Sequence, residues 1–156
     1  MITASAVSVV LDGVRVLHDV TVELDQQRIA VIGANGSGKS TFARALGGLV
    51  QPDDGAVRVH DVDTRDVRAL RKVVGLVFTN PDAQILMPTP IEDVALSLKS
   101  TGRSRAEVRD AAHDALQRFG LDELADQPAY SLSGGQKQLL ALASVLVRAP
   151  AVVIAD

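Results

Sequence analysis

From residue 5 to 24 apolar and polar positions alternate loosely, with Val7, Val9 and Leu11 before Asp12-Gly13 and Val14, Val16, Val20, Val22 and Leu24 after it. A period of two broken by an Asp-Gly pair predicts a β-hairpin. Ile29-Ala30-Val31-Ile32 is apolar without alternation, the pattern of a strand buried on both faces, and it leads straight into the glycine-rich stretch from Gly33 to Gly38. Lys39 to Leu49 then reads as a helix closed by Gly47, Gly48 and Pro52. Asp53-Asp54-Gly55 reads as a turn, Val57 to Val59 as a strand, Arg65 to Lys72 as a short helix, and Val73 to Phe78 as another buried strand.

From Thr79 the pattern changes. Asn80-Pro81, Pro88 and Pro90 mark an irregular connector, after which Glu92 to Leu98 and Ser104 to Phe119 read as helices. The second opens on the capping box Ser104-x-x-Glu107, stacks Ala111, Ala112, Ala115, Leu116 and Phe119 on one face, and ends at Gly120. A further helix from Gly134 to Arg148 is stopped by Pro150, and Ala151 to Ala155 reads as a buried strand. A chain halting at Asp156, on the end of a core strand, leaves that strand's neighbours unprovided, so we expect the amino-terminal portion of something longer. The expected organisation is one α/β domain, with a βα core over 1–78 and 150–156 and a connector plus helical subdomain over 79–149.

Composition narrows the chemistry. At 47% hydrophobic residues the 156-residue chain can pack a core, and a net charge of −3 gives no global pull toward nucleic acid. Without cysteine there is no disulfide, thiolate metal site or Cys nucleophile, and His18, His60 and His113 lack metal-ligand spacing. Basic clusters at Arg65, Arg68, Arg71, Lys72 and at Arg103, Arg105, Arg109 are interleaved with Asp and Glu, as on a solvated face. The longest apolar stretch, Leu139 to Val147, is well short of the ~20 residues that span a bilayer, and the amino terminus lacks a signal-peptide layout, so a cytoplasmic location is expected.

Gly33-Ala34-Asn35-Gly36-Ser37-Gly38-Lys39-Ser40 fits G-x-x-x-x-G-K-[ST] between an apolar run and a helix. Such a match arises by chance in about one chain of this length per two hundred. Glycines let the backbone wrap phosphate oxygens, and successive N–H groups with the helix start aim partial positive charge at the anion. In that role Lys39 reaches the β- and γ-phosphates, Ser40 offers its hydroxyl to Mg²⁺, and Thr41 donates to the α-phosphate.

Leu132-Ser133-Gly134-Gly135-Gln136 opens the last helix. As a capping box, Ser133-x-x-Gln136 accounts for two of these residues, but not for paired glycines that cost ~1 kcal/mol each in a helix relative to alanine. Bare backbone at a helix start points to a second anion site. A phosphate loop, LSGGQ beginning at Leu132, and then an apolar strand ending in Asp156 resemble the ATP-binding-cassette ATPases over essentially the whole chain. The resemblance implies a P-loop NTPase fold of that type, with an N-terminal β-hairpin region and an inserted helical subdomain. It also implies ATP and Mg²⁺ as ligands, Asp156 as the Walker B carboxylate holding Mg²⁺ through water opposite Ser40, and a signature that closes over the nucleotide of a facing subunit.

The chain departs from the family where a glutamine normally follows the strand at Phe78: Thr79 stands there, so either Gln84 substitutes or the coupling geometry differs. The adenine-stacking aromatic is absent from residues 1–30, with Leu11 at the matching position. The water-orienting glutamate that in the family usually follows the Walker B Asp, and the later histidine, are absent from these residues. We therefore expect these 156 residues to bind MgATP and hydrolyse it poorly. The run from Asn80 to Gln84 with Met87-Pro88-Thr89 and Glu92-Asp93-Val94 is similar to the energy-coupling-factor subgroup, which drives vitamin and metal-ion uptake, and Thr79 to its biotin-module ATPases. That similarity implies an ATPase motor at the inner face of the membrane, paired with a second such subunit and with transmembrane subunits, the connector from Gln84 to Asp93 being the coupling surface. The alternatives are a cassette ATPase acting on nucleic acid or ribosomes, and a nucleotide-gated module without turnover.

Overall fold

The computed structural model describes residues 1–99 and 101–156. The chain divides into two compact units, one of Met1–Gly75 with Ala151–Ile154 and Asp156, the other of Leu76–Pro150 with Ala155.

In the first unit β1 (Ile2–Leu11) and β2 (Val14–Leu24) form the hairpin, turning at Asp12-Gly13, and β3 (Asp54–Val59) and β4 (Val62–Asp63) extend it to an antiparallel sheet ordered β2-β1-β3-β4. The alternation of β1 slips by one residue. Ala4 and Val7 both point inward because Ala6, at φ 51, makes a bulge whose amide donates to Thr21 Oγ1 at 3.0 Å. The segment expected as a turn at Asp53-Asp54-Gly55 is instead the start of β3 running against that bulge. Gly55 has φ +82, and a Cβ there would meet the Ser5 and Ala6 carbonyl oxygens at 2.3 and 2.4 Å, so glycine is required.

Helix α1 (Lys39–Leu46) stops three residues before the expected end, because Gly47 caps it and Gly48 turns left-handed at φ +70. After α2 (Val67–Val73), capped by the Asp66 side chain, β5 (Val74–Val77) pairs with β6 (Val152–Ala155) in a second, two-stranded sheet. Two expectations fail here. Residues 29–32 form no strand, and Ile32 is 90% exposed, since an apolar run becomes a strand only where a neighbouring ladder accepts its backbone. Likewise β6 is only partly covered, with Val153 exposed, rather than buried.

The second unit packs α3 (Pro90–Leu98), α4 (Arg105–Arg118) and α5 (Gly134–Leu146) about Val94, Ala112, Ala115, Leu116, Leu121, Leu132, Leu140 and Ala143. Helix α4 carries the expected reciprocal cap, which holds the Glu107 carboxyl below its ordinary range through its hydrogen bonds to Ser104. Its buried face is Ala112, Ala115 and Leu116; Ala111 and Phe119 are half-buried. Helix α5 ends at Leu146 because Ala149 turns left-handed at φ 50 before Pro150. Among the described residues no helix is long and apolar enough to cross a membrane.

Candidate functional site

The phosphate loop is shaped by the residue that ends it. Gly38 caps α1 in the left-handed region at φ +89, and a Cβ there would meet Leu17 Cδ2 at 2.9 Å and the Val16 carbonyl oxygen at 3.1 Å of β2. Only glycine satisfies both constraints, and the turn it makes presents the first-turn amides of α1, at Ser40 and Thr41, without intrahelical acceptors. Gly33, Ala34, Asn35, Gly36 and Ser37 arch before it, exposed, with the Ser37 amide donating back to Ala34 O at 3.2 Å. Lys39 curls over this arch, its Nζ donating to Gly33 O at 2.9 Å and Ala34 O at 2.8 Å. An ammonium held by two carbonyls in a ring of amides can exchange those acceptors for phosphate oxygens at little cost in reorganisation.

Ser40 Oγ donates to Asp156 Oδ1 at 2.6 Å across 116 residues of sequence, both side chains lying in the first unit. A hydroxyl beside a carboxylate at a phosphate loop is a hard-oxygen donor pair suited to Mg²⁺, which takes one or two protein ligands and fills its octahedron with phosphate oxygens and water. No group of three or more His, Cys, Asp or Glu among the described residues could hold a metal. The ion fits here as a companion of a bound polyphosphate.

In the second unit Ser133 caps α5 reciprocally: its Oγ accepts from the Gln136 amide at 3.3 Å and its own amide donates to Gln136 Oε1 at 2.8 Å. Leu132 is buried beneath the cap, whereas Cβ atoms placed on Gly134 or Gly135 would meet nothing within 4 Å. The paired glycines are therefore not demanded by packing within the chain. Gln84 is held by the strand that precedes it. Its Oε1 accepts from the Phe78 amide at 3.1 Å and its Nε2 donates to Leu76 O at 3.0 Å, so both ends of the amide are engaged by the backbone at the end of β5. Thr79 is exposed, and Leu11, 37% exposed at the hairpin end, is a surface strand residue.

Residues 17–156 match the ABC transporter family model. The chain belongs to that family. It is 46% identical over 142 residues to a putative ABC transporter ATP-binding protein of Bartonella quintana, covering 90% of this chain and 63% of that one. The biotin transport ATP-binding protein BioM of Rhizobium etli is 44% identical, covering 92% and 65%, and the energy-coupling factor transporter ATP-binding protein EcfA of Methanosphaera stadtmanae is 37% identical, covering 93% and 54%. The dimeric ATP-binding cassette MJ0796, bound to ADP and Pi, superposes with a TM-score of 0.85 at 28% identity, covering 100% of this chain and 73% of that one. The P-loop NTPase fold of the ABC type follows. The chain spans just under two thirds of the length of the Bartonella relative.

Two contacts of the connector are not foreshadowed by the sequence. Asp93 is buried and accepts three hydrogen bonds, and Lys137 pairs with Asp82 at 2.6 Å. In the sequence Asp93 stands within the Glu92-Asp93-Val94 run, in the first turn after Thr89-Pro90, and neither feature separates a buried carboxylate from an exposed acidic helix start.

Proposed function

We propose that this chain is the nucleotide-binding part of an ATP-hydrolysing motor subunit of an energy-coupling-factor-type importer for a vitamin or metal ion. The observation that carries the reading is the Ser40–Asp156 hydrogen bond of 2.6 Å at the mouth of the loop, which joins the two ligands of a phosphate-bound cation. The loop amides and the start of α1 bind the β- and γ-phosphates, and Lys39 leaves the Gly33 and Ala34 carbonyls to contact them. Ser40 and, through water, Asp156 would hold Mg²⁺, which would supply neutralisation of charge on the transferring phosphoryl group. Ser133, with the open amides of Gly134 and Gly135, meets the nucleotide of a facing subunit, so two chains are needed for turnover.

The importer assignment rests on the connector motif and on the similarity to BioM and EcfA. It places the protein in the cytoplasm, against transmembrane subunits at the inner face of the membrane. A second reading, a nucleotide-gated module without turnover, draws on Thr79 at the glutamine position and on Gln84 being spent on the backbone. To test the pairing, self-association is followed by sedimentation with and without ATP. Ser133→Arg is expected to leave ATP binding by the single chain intact and to abolish the ATP-dependent dimer; an undiminished dimer would overturn the facing-subunit arrangement.

A further inference from the structure

Within the second unit a groove of 360 Å³ is lined by Asp82, Leu86, Met87, Pro88, Tyr130 and Lys137 among others, with Leu86 and Tyr130 mostly exposed. We propose that Asp93 is a positioning residue that ties the Leu86–Met87 wall of this groove to the last turn of α5, so that displacement of the wall is delivered along that helix to its Ser133 end. The consequence for Ser133 rests on the proposed function; the tie itself does not.

A carboxylate with 5% exposure must have its lone pairs filled, and those of Asp93 are filled from two different elements. Oδ1 accepts from the Leu86 amide at 2.8 Å and the Met87 amide at 3.1 Å, while Oδ2 accepts from Ser144 Oγ on α5 at 2.8 Å. The two amides alone would suffice to shape the connector. The bond to Ser144, itself only 6% exposed, is what makes the carboxylate a link. Together these bonds join the connector and α5 through one side chain.

A second tie runs parallel to it. Lys137 Nζ meets Asp82 Oδ1 at 2.6 Å, with the carboxylate 65% and the lysine 18% exposed, a weaker pair that salt screens. Lys137 and Ser144 are two helical turns apart and share one face of α5, so the connector grips the helix at two points along a line. From Ser144 to Ser133 a helix spans about 16 Å, so a tilt of about 5° moves the cap by about 1.4 Å. A misplacement of about 1 Å can cost a catalytic constellation on the order of a hundredfold.

The test is backbone hydrogen exchange in the full chain without nucleotide, comparing wild type with Ser144→Ala and Asp93→Asn. The asparagine side chain still accepts from both amides through Oδ1 and donates to Ser144 Oγ through Nδ2. The tie predicts that Ser144→Ala lowers protection at least tenfold at the Leu86 and Met87 amides and at the Gln136 and Lys137 amides together. The β1–β2 hairpin is unchanged, and Asp93→Asn retains protection at both places. Loss confined to Leu86 and Met87 overturns the proposal. If Ser144→Ala also loosens the hairpin, Ser144→Cys, a weak donor of similar size, gives the same comparison. With ATP present, Ser144→Ala is expected to weaken self-association about tenfold without changing ATP binding by the single chain, and an equal loss of both contradicts the relay. A wild-type chain that never associates with ATP would sink the facing-subunit reading and leave the exchange result to decide the tie.

Discussion

Asp63 illustrates how a charged residue contributes without taking part in the chemistry. It binds the Arg65 guanidinium through both carboxylate oxygens, at 3.0 and 2.8 Å, and also accepts from the Arg65 amide. These bonds, the side-chain ones foremost, hold its pKa at about 2 against an ordinary 3.8. A folded-state pKa below the unfolded one contributes stability that is present above the unfolded value and lost as pH falls through the folded value. Asp63→Asn is therefore expected to melt below wild type at about pH 6, with the gap closing as pH falls from about 4 to about 2, a trend that thermal scans across that range would read. Because Arg65 is 62% exposed the gap is small, and salt narrows it further.

Among the elements, α5 sets stability against function most plainly. Gly134 and Gly135 stand in its first turn with open space where a Cβ would be, so alanine at either position is expected to raise stability by ~0.5–1 kcal/mol. On the proposed facing-subunit arrangement the same methyl would stand where the partner's nucleotide approaches. Gly135→Ala should thus raise the melting temperature and weaken ATP-dependent self-association, and a variant improved in both would show that the glycines serve no close approach. This helix was legible in the sequence because a cap is local: Ser133 and Gln136 announce it at a fixed spacing, as Ser104 and Glu107 do for α4. The hairpin was legible for the same reason. Residues 29–32 were not, because apolar composition gives burial preference while strand formation depends on a ladder supplied from elsewhere in the chain. Nor was the bulge at Ala6, which no residue type marks, or the burial of Asp93, whose partners Leu86, Met87 and Ser144 come from two other segments.

For the molecule as a whole, the sequence motifs located the loop, but their spacing could not say which distant residues would meet. The structure brings Ser40 and Asp156 to hydrogen-bonding distance and gives Lys39 acceptors that a polyphosphate can replace. On the proposed function these groups, with the loop amides, grip MgATP, and calorimetric titration of ATP into the chain, with and without Mg²⁺, reads that grip. We predict saturable binding that Mg²⁺ strengthens, abolished by Lys39→Ala and deprived of its Mg²⁺ dependence by Asp156→Ala. Equal ATP affinity in wild type and Lys39→Ala, or a Mg²⁺ effect unaltered in Asp156→Ala, would contradict it.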